Sequence, residues 1–190
     1  FLDLLMAGTL APTEGGALLS TLGERGETAE EVAALVRGLL ARAALRPAAP
    51  RCADVCGTGG SGLTRYNVST TVAFILAAAG IPVAKHGNRG SRRPDGSFDL
   101  LDQLGVVYAL PAPALERLLR ETGVCFLFAR AVHPAVAAVA PYRKAAGRRT
   151  IFNLAGPLAN PCRPACQVVG VTDATAGCTA RANRKQTPVS

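Results

Sequence analysis

The sequence predicts an α/β protein: a small N-terminal helical domain over residues 1–46, then a larger α/β domain over residues 51–173 with a mostly parallel central sheet. Three observations predict it. The first fifty residues carry helical signals only, whereas from Cys52 onward short apolar runs alternate with helical stretches. Between the two, Arg46-Pro47-Ala48-Ala49-Pro50 breaks any helix and serves as a linker. Composition agrees, since 49% of residues are apolar but only 5% aromatic, and much of the apolar share is alanine, which suits helices packed closely on a sheet.

Taken in order, residues 1–6 and 12–22 read as helices closed by Gly8 and Gly23. Thr28-Ala29-Glu30-Glu31 is a capping box, in which the Thr28 hydroxyl accepts the Glu31 amide while the Glu31 carboxylate reaches back, so a third helix starts there. Val32, Leu35, Val36 and Leu39 then recur at helical spacing and form one apolar stripe. In the second domain, residues 52–56 read as a strand, followed by a glycine-rich turn, a helix over 69–79 and a strand over 83–85. This is βαβ grammar, which places ligands at the carboxyl ends of the strands. Helices are predicted over 97–104, closed by Gly105, and over 113–122, closed by Gly123. A buried strand follows over 124–128, and residues 134–146 read as one helix stopped by Gly147. Residues 174–190 hold one large aliphatic, Val189, and are expected to form a disordered or aberrant tail.

At 190 residues the chain can bury a substantial core without disulfides or metals. No apolar run approaches the roughly 18 residues that span a bilayer, and the stretch from Phe1 has neither a basic leader nor a small-residue cleavage site, so a cytoplasmic setting is expected and a membrane is not. The formal net charge of +8 suits polyanionic partners, from nucleic acid to small phosphorylated substrates. Among the six cysteines, Cys52 and Cys56 share a spacing with Cys162 and Cys166 that invites a metal reading. On a strand, however, a rise of about 3.3 Å per residue separates Cys52 from Cys56 by about 13 Å, too far to share a metal or a bridge. They are read as small core residues.

Two segments carry chemistry. Gly57-Thr58-Gly59-Gly60-Ser61-Gly62 follows a strand and precedes a helix that starts at Asn67-Val68-Ser69-Thr70. Glycines let the backbone N–H groups approach phosphate oxygens, and the helix start adds unpaired donors and a positive dipole end. The turn is neither a dinucleotide fingerprint nor a P-loop, because no Gly-Lys-Ser/Thr follows. The second segment, Lys85 to Arg93, brings Lys85, Arg89, Arg92 and Arg93 with two glycines directly after a strand. Lys85 closes an apolar strand, where an ammonium needs a partner, and a polyphosphate would supply one. His86 and Asn88 add hydrogen-bonding groups for something planar and polar. Ser97, opening the next helix, offers a hydroxyl or an N-cap.

Lys85-His86-Gly87-Asn88-Arg89 combined with Asn67-Val68-Ser69-Thr70 resembles the anthranilate phosphoribosyltransferases. The likeness extends through Arg25-Gly26-Glu27-Thr28, Gly96-Ser97, Asp99-Leu100-Leu101, His133-Pro134, Thr150-Ile151-Phe152-Asn153-Leu154 and Gly156-Pro157-Leu158. The resemblance implies transfer of phosphoribosyl from phosphoribosyl pyrophosphate (PRPP) to the amine of anthranilate, a Mg2+ cofactor and a homodimer. It implies that Gly57, Gly60, Ser61, Arg65, Asn67, Val68, Ser69, Thr70, Lys85, Arg89 and Ser97 surround PRPP, with Ser69 also touching magnesium. Gly57, His86, Asn88, His133 and Arg143 would surround anthranilate. Arg143 suits a carboxylate through a bidentate fork.

The sequence departs from the family at Ser61, where an Asp is usual, and at Arg65, where a Thr is usual. Arg92 and Arg93 partly replace serines. The family carries an Asp-Glu pair for magnesium further along, and nothing after Asp173 resembles that region. A truncated or frame-shifted product, poorly active alone, is therefore the expectation. Two competing readings are a nucleic-acid-binding relative, disfavoured because no aromatics interleave with the basic residues, and a nucleoside phosphorylase-like relative on the same fold.

Overall fold

The computed structural model describes residues 1–49, 51–59, 66–90 and 94–171. The predicted site residues Gly60, Ser61 and Arg65, the arginines Arg92 and Arg93, and the tail over 174–190 lie outside the described residues.

Three helices come first, α1 (Leu2–Met6), α2 (Pro12–Arg25) and α3 (Ala29–Ala41). The α3 capping box forms as predicted: Glu31 N–H donates to Thr28 Oγ1 at 3.2 Å and Thr28 N–H to Glu31 Oε2 at 2.9 Å. The α2 helix corrects its predicted end. It runs through Gly23 to Arg25 and stops at Gly26, whose φ of 87° is cheap only for glycine.

The α/β unit follows as β1 (Ala53–Gly57), α4 (Val68–Ala78), β2 (Val83–Gly87), α5 (Ser97–Gln103), α6 (Ala112–Thr122) and β3 (Val124–Phe128). Then come α7 (Ala129–Val132), α8 (Pro134–Ala138), α9 (Ala140–Ala146), α10 (Ile151–Leu158) and β4 (Cys166–Gly170). The sheet is parallel with order β3-β2-β1-β4. It grows in one direction from β1 to β3 and in the other to β4, so the carboxyl end of β1 lies at a switch point where open α/β sheets hold ligands. On one face α4 covers β1 and β2 through Val55, Ala73, Val83 and Leu76; elsewhere Leu115 and Leu119 of α6 pack with Ala84, Cys125 and Leu127.

The predicted single helix over 134–146 is two helices. Pro141 lacks an N–H and its ring crowds the preceding turn, so α8 ends and α9 restarts with this proline in its first turn. Cys52 and Cys56 are buried and form no disulfide, as expected of core residues, and no group of three or more metal-binding side chains occurs among the described residues.

The first three helices share their core with the later ones. Leu19, Val32, Val36 and Leu39 pack with Val139, Tyr142, Ile151 and Phe152. Helices α2 and α9 approach closely because Gly15 and Gly16 of α2 face α9. A Cβ on Gly16 would lie 2.9 Å from the Ala146 backbone nitrogen, and one on Gly15 would lie 2.3 Å from the Tyr142 ring. Gly16→Ala should therefore destabilise the chain by about 1–2 kcal/mol, overpacking outweighing the helix propensity that alanine adds. Urea unfolding measures this; a more stable variant would show that the two helices separate freely.

Candidate functional site

The site opens where β1 and β2 diverge. They are parallel neighbours, yet only Ala53 and Val83 are paired in register, and beyond them side chains take over. Lys85 is 2% exposed; its Nζ donates to the Val55 carbonyl at 2.6 Å and to Ser69 Oγ, in the first turn of α4, at 3.2 Å. Burial pushes its ammonium below the usual lysine range while the Asp54 carboxylate opposes that shift. The sequence led us to expect a polyphosphate as the missing partner of Lys85. The structure supplies partners from the protein itself.

Asp54 is the residue that sequence reasoning missed. Its Oδ2 accepts Asn160 Nδ2 at 3.1 Å and Gln167 Nε2 at 2.9 Å, and its Oδ1 accepts the His86 backbone N–H at 3.3 Å. Asn160 Nδ2 also donates to the Ala84 carbonyl at 2.8 Å. Burial raises the Asp54 carboxyl above the usual carboxylate range, against the Asn160 bond, the Lys85 charge, the Gln167 bond and the His86 N–H. A carboxylate within an otherwise apolar strand was the available signal.

After β2 the chain doubles back on itself. Gly90 N–H and Gly96 N–H both donate to Asp99 Oδ2, at 2.7 and 2.9 Å, which closes the loop that carries Asn88 and Arg89. Gly96, not Ser97, is the N-cap of α5, correcting the N-cap alternative; Ser97 Oγ instead donates to the Asn88 carbonyl at 3.4 Å. Asn88 Oδ1 accepts the Arg89 N–H at 2.9 Å. The Arg89 guanidinium is engaged within the protein: Nε donates to Asp102 Oδ2 at 3.0 Å, Nη2 to the Tyr108 hydroxyl at 2.8 Å, and the group lies over the Phe128 ring.

The other wall comes from α7 to α10. His86 Nδ1 bonds to the Gly156 carbonyl at 3.0 Å, while its buried Nε2 has no partner among the described residues. The His86 and His133 rings meet edge to face at 5.3 Å. Burial, then His133, pushes His86 down to about 3. His133 is set between the Leu39 carbonyl, 3.2 Å from Nδ1, and the Ala159 carbonyl, 2.6 Å from Nε2. Burial lowers it and these two carbonyls oppose the shift. Arg143 on α9 lies over the Phe152 ring, 5.7 Å from its centroid, and Nη2 reaches Asn153 Oδ1 at 3.5 Å. Asn153 Nδ2 in turn donates to the Thr58 carbonyl of the glycine turn at 3.4 Å. Burial and neighbouring Arg130 lower the Arg143 guanidinium.

One cavity of about 700 Å³ joins these features. Gly57, Asn67, Val68, Ser69 and Lys85 line it from the sheet and α4. His86, Asn88, Arg89 and Ser97 line it from β2 and its loop, and His133 and Arg143 from the helices. Thr70 is fully buried behind Ser69, outside the lining, with Oγ1 unpartnered among the described residues. Chemically, one end joins a cation, a hydroxyl and a helix N-terminus, a combination that receives phosphate. The other end joins an arginine, a neutral imidazole and an aromatic face, a combination that receives a planar acid.

A parallel α/β sheet with an anion-receiving cavity at its carboxyl edge defines the class. Residues 49–185 match the family described as glycosyl transferase family, a/b domain, and the chain belongs to that family. It is 47% identical over 169 residues to the anthranilate phosphoribosyltransferase of Synechococcus elongatus, covering 87% of this chain and 49% of that protein. It is 44% identical over 173 residues to the enzyme of that name from Moorella thermoacetica, covering 90% and 51%. The crystal structure of anthranilate phosphoribosyltransferase from Thermus thermophilus superposes with a TM-score of 0.87 at 39% identity, over 97% of this chain and 56% of that one. The Saccharomyces cerevisiae enzyme in complex with PRPP and Mg superposes with a TM-score of 0.77 at 27% identity, over 90% and 50%. The chain thus spans about half the length of the curated relatives it matches.

Proposed function

We propose that this chain carries the substrate-binding half of an anthranilate phosphoribosyltransferase, which moves phosphoribosyl from PRPP to the amine of anthranilate and releases pyrophosphate. The observation that carries the reading is a single cavity with Lys85 and the start of α4 at one end and Arg143 over Phe152 at the other. Relatives of that name at 44–47% identity support it. Gly57, Asn67, Val68, Ser69 and Lys85, with Gly60, Ser61 and Arg65 of the turn, hold PRPP; Thr70 backs them, and Ser97 and Arg89 shape the adjoining loop. Asn88, His86, His133 and Arg143 hold anthranilate. An aromatic amine is a usable nucleophile and pyrophosphate a good leaving group once neutralised, so orientation and charge stabilisation do most of the catalysis.

Magnesium fits this donor set as a guest of the substrate. The described residues offer it the Ser69 hydroxyl, and a hard cation takes its remaining oxygens from phosphate and water. When bound it neutralises the leaving pyrophosphate. The reading also includes a homodimer in the cytoplasm, as the resemblance implies. No helix among the described residues is long and apolar enough to cross a membrane.

Calorimetric titration of PRPP with magnesium tests the reading. Saturable binding is expected, weakened by about 1 kcal/mol or more in Lys85→Ala. Binding that the substitution leaves unchanged would remove Lys85 from the site.

A further inference from the structure

Asn153 belongs to both ends of the cavity, which Thr58, Arg143 and Asn153 all line. Its Nδ2 donates to the Thr58 carbonyl at 3.4 Å, while Oδ1 accepts Arg143 Nη2 at 3.5 Å and the Thr150 N–H at 3.1 Å. These partners leave the amide one orientation. Arg143 and the Thr150 N–H can only donate and the Thr58 carbonyl can only accept, so a turned-over amide would set its NH2 against two donors and its oxygen against another oxygen. At the glycine turn Thr58 is gripped twice, because its N–H donates to the Gly170 carbonyl of β4 at 3.0 Å. At the other end the groups that hold Arg143, the Phe152 ring and the Asn153 amide, are both neutral, so the guanidinium charge stays available to an acid.

We propose that Asn153 is a positioning residue that couples the two ends: a diphosphate seated in the glycine turn fixes Thr58, Thr58 fixes the amide plane, and the amide pre-orders Arg143 for a planar acid. The identity of the two ligands as substrates rests on the reading above; the link through Asn153 does not. The bonds to Thr58 and Arg143, at 3.4 and 3.5 Å, are long beside an ordinary N–H···O bond of about 2.9 Å and have room to shorten. A ligand that takes up this slack at one end spares the other ligand the cost of ordering the same groups, which is positive cooperativity without contact between the two. Linkage makes the effect reciprocal.

Two substitutions separate this role from that of a helix cap. Asn153→Asp keeps an oxygen for the Thr150 N–H and for Arg143, so the start of α10 persists, but it turns an acceptor rather than a donor towards the Thr58 carbonyl. Asn153→Leu removes all three bonds and adds no charge.

The test is the affinity of the chain for anthranilate, measured by calorimetry with and without saturating inorganic pyrophosphate and magnesium, which carry no ribosyl group to transfer. The unsubstituted chain should bind anthranilate about fivefold or more tightly when pyrophosphate is present, and pyrophosphate by the same factor when anthranilate is present. In Asn153→Asp and Asn153→Leu that factor should fall to about one, a change that a merely loosened α10 does not produce in the variant that keeps the cap. A factor of about one in the unsubstituted chain, or a factor that survives both substitutions, overturns the proposal. Coupling that the variants abolish, with pyrophosphate undisplaced by PRPP, sustains the link and sinks the substrate reading instead. A chain that binds neither probe overturns both. Should the variants not fold or not bind both ligands, the unsubstituted chain decides: the Asn153 side-chain amide and the Arg143 Nε–H signals, assigned by triple-resonance NMR, should both shift on adding pyrophosphate with magnesium alone. An unmoved Arg143 signal overturns the proposal equally.

Discussion

Gly96→Ala should destabilise the chain by about 3 kcal/mol and abolish tight binding of a phosphorylated ligand. The cause is space rather than backbone conformation, since Gly96 has an ordinary φ of −77°. A Cβ there would lie 2.3 Å from Gly90 N, 2.5 Å from the Arg89 carbonyl carbon and 2.6 Å from the Asn88 oxygen. All three are backbone atoms of the loop that the Asp99 carboxylate cinches, so accommodating a methyl group means breaking the Gly90 and Gly96 bonds to Asp99. Asn88 and Ser97, at the two ends of that loop, would move with it. Gly87 provides the internal control: its Cβ would meet Ser97 Oγ at 2.4 Å, a side-chain atom that can rotate away, so Gly87→Ala should be milder. Urea unfolding and calorimetry with PRPP check the ranking. Equal effects at the two glycines would show that the loop opens freely.

What the sequence disclosed follows from how far each signal reaches. The α3 start was legible because Thr28 and Glu31 are three residues apart and satisfy one another. The strands β1, β2 and β3 were legible as short, largely apolar runs, each bounded on at least one side by a glycine. Strand β4 was not, because Cys166–Gly170 alternates exposed and half-buried positions and gains its identity only by pairing with β1. Helix α10 was hidden by Gly156 and Pro157, which sit in its last turn. The site shows the same division. Lys85 announced a need for a partner, but the partner lies on a neighbouring strand, and periodicity along one strand reports its faces, not its neighbours.

The same limit concealed how the two ends of the cavity are joined. Asn153 touches Arg143 at one end and the Thr58 carbonyl at the other, and its Oδ1 also accepts the Thr150 N–H at 3.1 Å. Thr58, 95 residues away in sequence, thus meets Arg143 and the start of α10 on one amide. The glycine turn is held not only by β1 but by the helix that carries the opposite wall.

His86 should make the folded chain acid-sensitive in a way that His86→Gln removes. Its Nδ1 faces the Gly156 carbonyl and therefore carries the proton, which leaves Nε2 unprotonated. Protonating Nε2 would place a cation in a fully buried position, edge-on to a second imidazole and near Lys85, so the folded ring resists protonation down to about 3. In the unfolded chain it takes up a proton near the ordinary value of about 6.5. The folded value lies below the unfolded one, so this stability is complete above about pH 6.5 and is lost as pH falls towards about 3, at roughly 1.4 kcal/mol per pH unit. Glutamine can still donate to the Gly156 carbonyl but cannot titrate. Urea unfolding at pH 7, 6, 5 and 4 should thus show the unsubstituted chain losing about 2 kcal/mol more than the variant by pH 5. His133, itself lowered, and Asp54, raised and so of opposite sign, are present in both proteins and largely offset in the difference. Parallel curves would mean that His86 is protonated alike in both states. The neutral ring would then no longer be the uncharged wall that lets an aromatic acid lie between it and Arg143.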